Sequence, residues 1–179
     1  AADATVIDVR HQSAPACIDT IRSQPMGRML YAQATLTGSI GTVDCEGIAD
    51  VLDVVRREDQ TLDITVIDIK ASRRTSVNFC LQVALYARLL KDALARAAIP
   101  VASVRGAILA HGESGATAAL EPFDLALFAD DIERLLATPD ADVMRVLHRP
   151  FAMADYHLST KCGCSPVSIL KKVNPPNRV

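Results

Sequence analysis

The spacing of apolar residues changes period several times along the chain, and each change marks an element. From Ser13 the pattern is helical: Ser13 stands where a cap belongs, Pro15 is tolerated in the first turn, and Ile18, Ile21 and Met26 give a weak apolar stripe before Pro25 and Gly27 stop it. From Met29 to Thr37 the period is two, with Leu30, Ala32, Ala34 and Leu36 alternating with Tyr31, Gln33 and Thr35, which predicts a strand. Gly38 to Gly41 reads as a turn, Ile48 to Val55 as a second strand, Arg57 to Gln60 as a charged tip and Leu62 to Lys70 as a third strand. The third strand is apolar on both faces from Ile64 to Ile69, which suits a central strand covered on both sides.

A polar, basic loop from Ser72 to Ser76 leads into a helix expected over Val77 to Ala98, where Thr75 or Ser76 can cap and Pro100 ends the run. A strand from Val101 to Ala110 and a short one from Thr117 to Leu120 come next. An amphipathic helix follows over Phe123 to Ala137, with Leu127, Ile132, Leu135 and Leu136 toward the core. Asp140 to Leu147 reads as a further helical turn or two, and the chain beyond Pro150 as irregular. Residues 1–12 make either a short edge strand or the remnant of a preceding region, and no repeat or low-complexity segment occurs. The fold class is α/β: a central mixed sheet flanked by helices.

Composition narrows this picture. A length of 179 residues fits one substantial domain, half of it hydrophobic, and the absence of Trp makes the core aliphatic. No apolar run reaches the roughly 20 residues of a membrane span, so no membrane partner is expected. Five cysteines, an odd number with three scattered in apolar surroundings, point to a reducing compartment and a cytoplasmic location. The chain opens Ala-Ala-Asp without Met, and we expect it to be cut from a longer polypeptide. Net charge is −2, but from Arg145 onward six basic residues face the single acid Asp155, a local +5 that leaves −7 for residues 1–144. Such a tail suits a phosphate-binding face, and a merely solvated tail has the same composition. We therefore divide the chain into a core, residues 1–150, and a basic, cysteine-containing extension of the same domain, residues 151–179.

The candidate chemistry lies between Gly47 and Lys70. A short tip makes the second and third strands a hairpin, and a turn centred near residue 59 pairs residues whose numbers sum to about 118 or 119. Asp50 then stands opposite Asp68, with Cβ atoms about 4.5–5.5 Å apart. Two buried carboxylates at that separation repel each other, and a divalent cation relieves this, since Mg²⁺ or Mn²⁺ prefers hard carboxylate oxygens. Lys70, two residues on from Asp68, emerges on the same face, and the Ile69 carbonyl between them is a further candidate ligand. The set suits metal-assisted phosphodiester hydrolysis. The alternative is an ion pair of Asp68 and Lys70 at an exposed strand end, with Asp50 elsewhere. On the long helix, Val77, Leu81, Ala84 and Leu85 form an apolar face, while Asn78, Gln82 and Tyr86 form a polar stripe that faces either Lys70 or solvent.

The series Gly47-x-x-Asp50-x-Leu52, Asp68-Ile-Lys70 and Gln82-x-x-x-Tyr86 resembles the RecB-type nucleases of the PD-(D/E)XK superfamily, in their order and spacing. Tyr31 to Leu36 and Tyr156 to Cys162 also look like these proteins, so the resemblance covers roughly residues 26–165. It is greatest to the branch found in helicase–nuclease and DNA-repair polypeptides, many of which bear an iron–sulfur cluster. The resemblance implies a restriction-endonuclease-like core and Mg²⁺- or Mn²⁺-dependent hydrolysis of DNA. By motif position, Asp50 and Asp68 with the Ile69 carbonyl are metal ligands and Lys70 the catalytic lysine. Gln82 and Tyr86 are the supporting pair, with Arg73, Arg74 and Lys161 placed to contact DNA. The N-terminal helix of such enzymes often adds an acid or histidine, for which Asp19 and His11 are the candidates. Cys162-Gly-Cys164 is one residue short of a C-x-x-C pair and no later Cys follows, so with Cys17 or Cys45 at most three thiolates are available where a cluster wants four. We read this as a degenerate relic and expect no cluster, with Cys45 and Cys80 as core residues. His111, His148 and His157 show no metal-ligand spacing. Two further readings stand beside an active DNase: a pseudo-nuclease that binds DNA or serves as a scaffold, and an unrelated α/β interaction domain.

Overall fold

The computed structural model describes residues 4–71, 75–111 and 118–138. Six strands form one mixed sheet in chain order: β1 Thr5–Asp8, β2 Gly27–Ile40, β3 Val43–Arg56, β4 Leu62–Lys70, β5 Val101–His111 and β6 Ala118–Phe123. Helix α1, Ala14–Arg22, carries the chain between the parallel strands β1 and β2, and α2, Val77–Arg96, between the parallel strands β4 and β5. The remaining neighbours are antiparallel. After β6 come a 3₁₀ turn, Leu125–Phe128, the short helix α3, Ala129–Ile132, and a π turn, Glu133–Ala137. The mixed α/β class expected from the sequence is therefore correct, and the core between sheet and helices is aliphatic apart from Tyr31 and Tyr86. Among the described residues no helix is long and apolar enough to cross a membrane.

Helix α1 starts as its sequence dictates. The Ser13 hydroxyl accepts the Ala16 amide at 3.4 Å, Pro15 sits in the first turn, and Ala14, Cys17, Ile18 and Ile21 are buried. Met26 lies past the helix and is exposed. Helix α2 buries Cys80, Val83, Ala84, Ala87, Leu90 and Leu94, not the face centred on Val77, Leu81 and Leu85. Val77 is exposed, while Leu81 and Leu85 line a groove with Ile132, Leu135 and Leu136. Apolar residues on this helix occupy more than one face, so period alone does not choose its buried side. The sheet takes the side whose small residues, Cys80, Ala84 and Ala87, permit close approach. The expected amphipathic helix over 123–137 is likewise revised. Phe123 belongs to β6 and meets Phe128 edge to face at 5.6 Å, Leu127 is 73% exposed, and Ile132 is the buried anchor.

The β2–β3 hairpin is longer than its hydrophobic runs suggest. It turns on Gly41 and Thr42, and Gly38 lies inside β2. Gly38 makes room for Leu89, whose Cδ2 would stand 3.1 Å from a Cβ there, whereas Gly41 has φ +59° and no space for a Cβ against the Ala137 backbone. The hairpin also reverses its inward side part-way along. Near its open end Tyr31, Leu52, Val54 and Arg56 are buried; near the turn Ala34, Leu36, Ile40 and Ala49 are. A change from odd to even on one strand, with the opposite change on its partner, needs an interruption shared by both strands. It falls at Gln33 and Asp50: the ladder runs from Ala32–Val51 to Ala34–Ala49 and skips the pair between, and Gln33 has φ +60°.

Strand β4 is central, with Leu62, Ile64, Val66 and Asp68 buried on its inner side. On its other side Ile67 is buried, while Asp63 and Thr65 are half-buried, so the expected cover on both faces is partial. Asp63 is engaged there by the Ser103 hydroxyl and by Arg57.

Candidate metal centre

Asp50, Asp68 and Lys70 come together where the β3–β4 ladder ends. The last ladder pair is Val51 with Ile67, so Asp50 and Asp68 are the next two residues facing each other, on the side that Leu52 and Val66 bury. In place of a main-chain pair, the Asp50 carboxylate spans the gap. Its Oδ2 accepts the Ile69 amide at 2.7 Å and its Oδ1 accepts the Gln33 side-chain amide at 3.1 Å.

Asp68 is 2% exposed, and Lys70 Nζ lies 2.6 Å from its Oδ2. That contact is a close ion pair, and no other group among the described residues bonds the buried Oδ2. Burial pushes the Asp68 carboxyl above the usual carboxylate range, Lys70 pulls it back, and the neighbouring Asp50 pushes it up again. An ion-pair partner thus offsets only part of the cost of a desolvated charge beside a like charge.

The polar stripe of α2 faces inward at its C-terminal end. Lys70 Nζ donates to Gln82 Oε1 at 3.3 Å, and Gln82 Nε2 donates to the Tyr86 hydroxyl at 2.7 Å. Lys70 also stands 5.0 Å from the centre of the Phe79 ring, within range of a cation–π contact. Asn78, at the other end of the stripe, is exposed. Gly47 completes the connection, because a Cβ there would overlap the Tyr86 ring. Gly47 on β3 therefore receives the aromatic that orients Gln82, which in turn holds Lys70.

Three hard oxygen donors face this space. Two are the carboxylates of Asp50 and Asp68. The third is the Ile69 carbonyl: in a strand a residue's N–H and C=O point to the same side, and the Ile69 amide points to Asp50. Among the described residues no group of three or more His, Cys, Asp and Glu side chains gathers anywhere. Two carboxylates and a carbonyl fit Mg²⁺, which keeps several of its waters and takes few protein ligands. Lys70 balances one of the two carboxylate charges, and a net negative charge remains for a cation to offset.

Asp19 and His11 do not join the centre. Asp19 is exposed and paired with Arg22 at 2.8 Å, and Arg22 donates to the Ala97 carbonyl at the far end of α2. At 1.5 Å per residue that end is about 20 Å from Gln82. His11 is exposed beyond β1. Cys17 and Cys80 are buried and Cys45 half-buried, all as free thiols; burial pushes Cys17 up to about 11, which opposes a thiolate. Arg73, Arg74, Lys161, Cys162, Cys164, His148 and His157 lie outside the described residues, as does the basic tail. Gln33 was not among the candidates, although its position opposite Asp50 follows once the hairpin turns at residues 41 and 42. Phe79 and the packing role of Gly47 carried no sequence signal.

No family model matches the sequence, and no curated protein matches it. Among solved structures, the crystal structure of SSO0001 aligns with a TM-score of 0.39 at 14% identity over 84% of this chain. The alignment spans 62% of the length of SSO0001.

Proposed function

We propose that this chain is a Mg²⁺- or Mn²⁺-dependent deoxyribonuclease domain of RecB type, with a restriction-endonuclease-like core. The observation that carries the reading is the buried Asp68 facing Asp50 at a ladder end, with Lys70 on the same side. Two carboxylates face to face with one lysine leave a net negative charge at the ladder end, which a divalent cation would offset. When bound, the metal would act as a Lewis acid toward the phosphoryl group and acidify a water. Asp50, Asp68 and the Ile69 carbonyl would hold it. Lys70, fixed by Gln82, would orient the attacking water and donate to a phosphoryl oxygen as negative charge develops there. Water adds to phosphorus, one ester P–O bond breaks, and the leaving oxygen takes up a proton. The choice of DNA as substrate, and of a helicase or other repair domain as neighbour in a longer polypeptide, rests on the series of motifs.

The test is incubation with single- and double-stranded DNA and either metal, comparing wild type with Asp68→Ala and Lys70→Ala. Cleavage should require metal and fall by roughly 10²–10³-fold or more in each variant. Activity equal in all three proteins, or absent from the wild type with both metals, would refute the enzyme. Metal-independent retention of DNA without cleavage would point instead to a pseudo-nuclease that binds DNA.

A further inference from the structure

We infer that Gln33 is a positioning residue of the metal centre, and that the left-handed kink in β2 exists to serve it. The inference rests on the metal-site reading above. Gln33 has φ +60° in the middle of a 14-residue strand, a conformation that a non-glycine side chain with no local hydrogen bond to support it adopts at a cost. It coincides with two other features. The β2–β3 ladder omits only the Gln33–Asp50 step between Ala32–Val51 and Ala34–Ala49, and the buried side of both strands changes parity there. The Gln33 amide donates to Asp50 Oδ1 at 3.1 Å, while the Ile69 amide donates to Oδ2 at 2.7 Å.

Both oxygens of Asp50 are therefore pinned, from opposite neighbouring strands, and each keeps a lone pair free. In an uninterrupted hairpin Asp50 would pair through its backbone, and its side chain would stand perpendicular to the sheet. The kink frees that backbone and lets the carboxylate lie along the sheet toward Ile69 and Asp68. Without the Gln33 amide the carboxylate can pivot about its single bond to the Ile69 amide. Strain held in one strand at a carboxylate is the pattern expected where geometry serves a site.

The experiment measures Mn²⁺ affinity by titration calorimetry and the unfolding midpoint in EDTA for wild type, Asp68→Asn, Gln33→Gly and Gln33→Leu. Gln33→Gly removes both the amide and the strain; Gln33→Leu removes the amide and keeps the strain. Both Gln33 variants should bind Mn²⁺ about 10–100-fold more weakly, as expected for a group that orients a ligand. Gln33→Gly should unfold at or above the wild-type midpoint and Gln33→Leu below it. Wild-type affinity in both variants, with Asp68→Asn still abolishing binding, overturns the inference alone. Loss of affinity only in step with a falling midpoint overturns it too, since that marks a structural residue. Absence of Mn²⁺ binding by the wild type overturns the proposed function and this inference together.

Discussion

The same strands carry a buried polar cluster at each end of their pairing, and the two are built on opposite principles. At one end Gln24 is 5% and Arg56 9% exposed. The Gln24 amide donates to the carbonyls of Gly27 and Val54 at 2.9 and 3.2 Å, and its oxygen accepts the Tyr31 hydroxyl at 3.0 Å. Arg56 donates to the Ile21 and Arg22 carbonyls, both at 3.0 Å, at the carboxyl end of α1, and to the Gln60 carbonyl at 3.3 Å. Its Nε is buried without a hydrogen-bond partner among the described residues. A cation meets the negative end of a helix dipole, and among the described residues no carboxylate takes part. At the other end, two residues along β2 from Tyr31, the backbone is kinked at Gln33 and two carboxylates and one lysine meet. The first cluster satisfies groups that the fold has to bury. The second buries a carboxylate against its own desolvation and beside a like charge. The contrast separates structure from chemistry better than burial does, because each cluster holds a buried polar group, Gln24 in one and Asp68 in the other.

The sharpest way to break the contrast is to remove the cation from the first cluster. Arg56→Met keeps the apolar stem but leaves the Arg22 and Gln60 carbonyls without their side-chain donor, while the Ile21 carbonyl keeps the Gln24 amide. We expect a loss of about 2–3 kcal/mol in urea unfolding, from hydrogen bonds to a charged group lost in a buried setting, with Mn²⁺ affinity unchanged. A loss of affinity equal to that of Asp68→Asn would mean that the two clusters are one unit.

The two clusters were not equally legible in the sequence. The tip at Arg57 to Gln60 was marked by charge, so the β3–β4 register and the opposition of Asp50 to Asp68 followed from counting. The β2–β3 turn was marked by two glycines, and one of them, Gly38, serves packing against Leu89 instead. Placing the turn there hid the partnership of Gln33 with Asp50. The alternation read over Leu30 to Leu36 was half right, since it holds on the turn side of Gln33 and inverts on the other. A pattern of period two cannot announce its own interruption. Arg56 and Gln24 gave no signal, because their partners are main-chain carbonyls, which every sequence supplies. Gln82 and Tyr86 were legible as a pair at i and i+4, while the reason for Gly47, room for the Tyr86 ring, is visible only once β3 and α2 are packed.

A smaller effect of opposite sign is expected at the second cluster. In chelator, Asp68→Asn removes a desolvated charge beside Asp50 and places an amide donor there. Lys70 loses an ion pair but keeps Gln82, and its side chain is 22% exposed to water. The variant should be at least as stable as wild type, by up to about 1 kcal/mol, because relief of the Asp68 desolvation and of its repulsion from Asp50 outweighs the loss of a pair whose lysine is partly solvated. Destabilisation by several kcal/mol would show that Asp68 is a structural ion-pair residue like those elsewhere in the fold, and would remove the energetic reason to place a cation beside it.

Alkali should act through the first cluster. Cys17 is fully buried and its thiol is pushed up to about 11 by desolvation, while Tyr31 is pushed up to about 12 by desolvation, with the Cys17 thiolate adding and Arg56 opposing. Both groups ionise at lower pH in the unfolded chain, at about 9.0 for the thiol and 10.0 for the phenol. Between its two values each group holds its proton more tightly in the folded state, so stability falls as pH rises. The contribution is intact below about pH 9 and lost through the window up to 11 for Cys17, and from 10 to 12 for Tyr31. Raising the pH from 8 to 10 should therefore lower the unfolding free energy by about 1 kcal/mol through Cys17. Cys17→Ala will itself leave a small cavity, so the decisive quantity is the slope with pH: it should be shallower than wild type between pH 9 and 11. An unchanged slope would mean that Cys17 is no more protected from water in the native state than in the unfolded chain, and that the first cluster is looser than its hydrogen bonds imply.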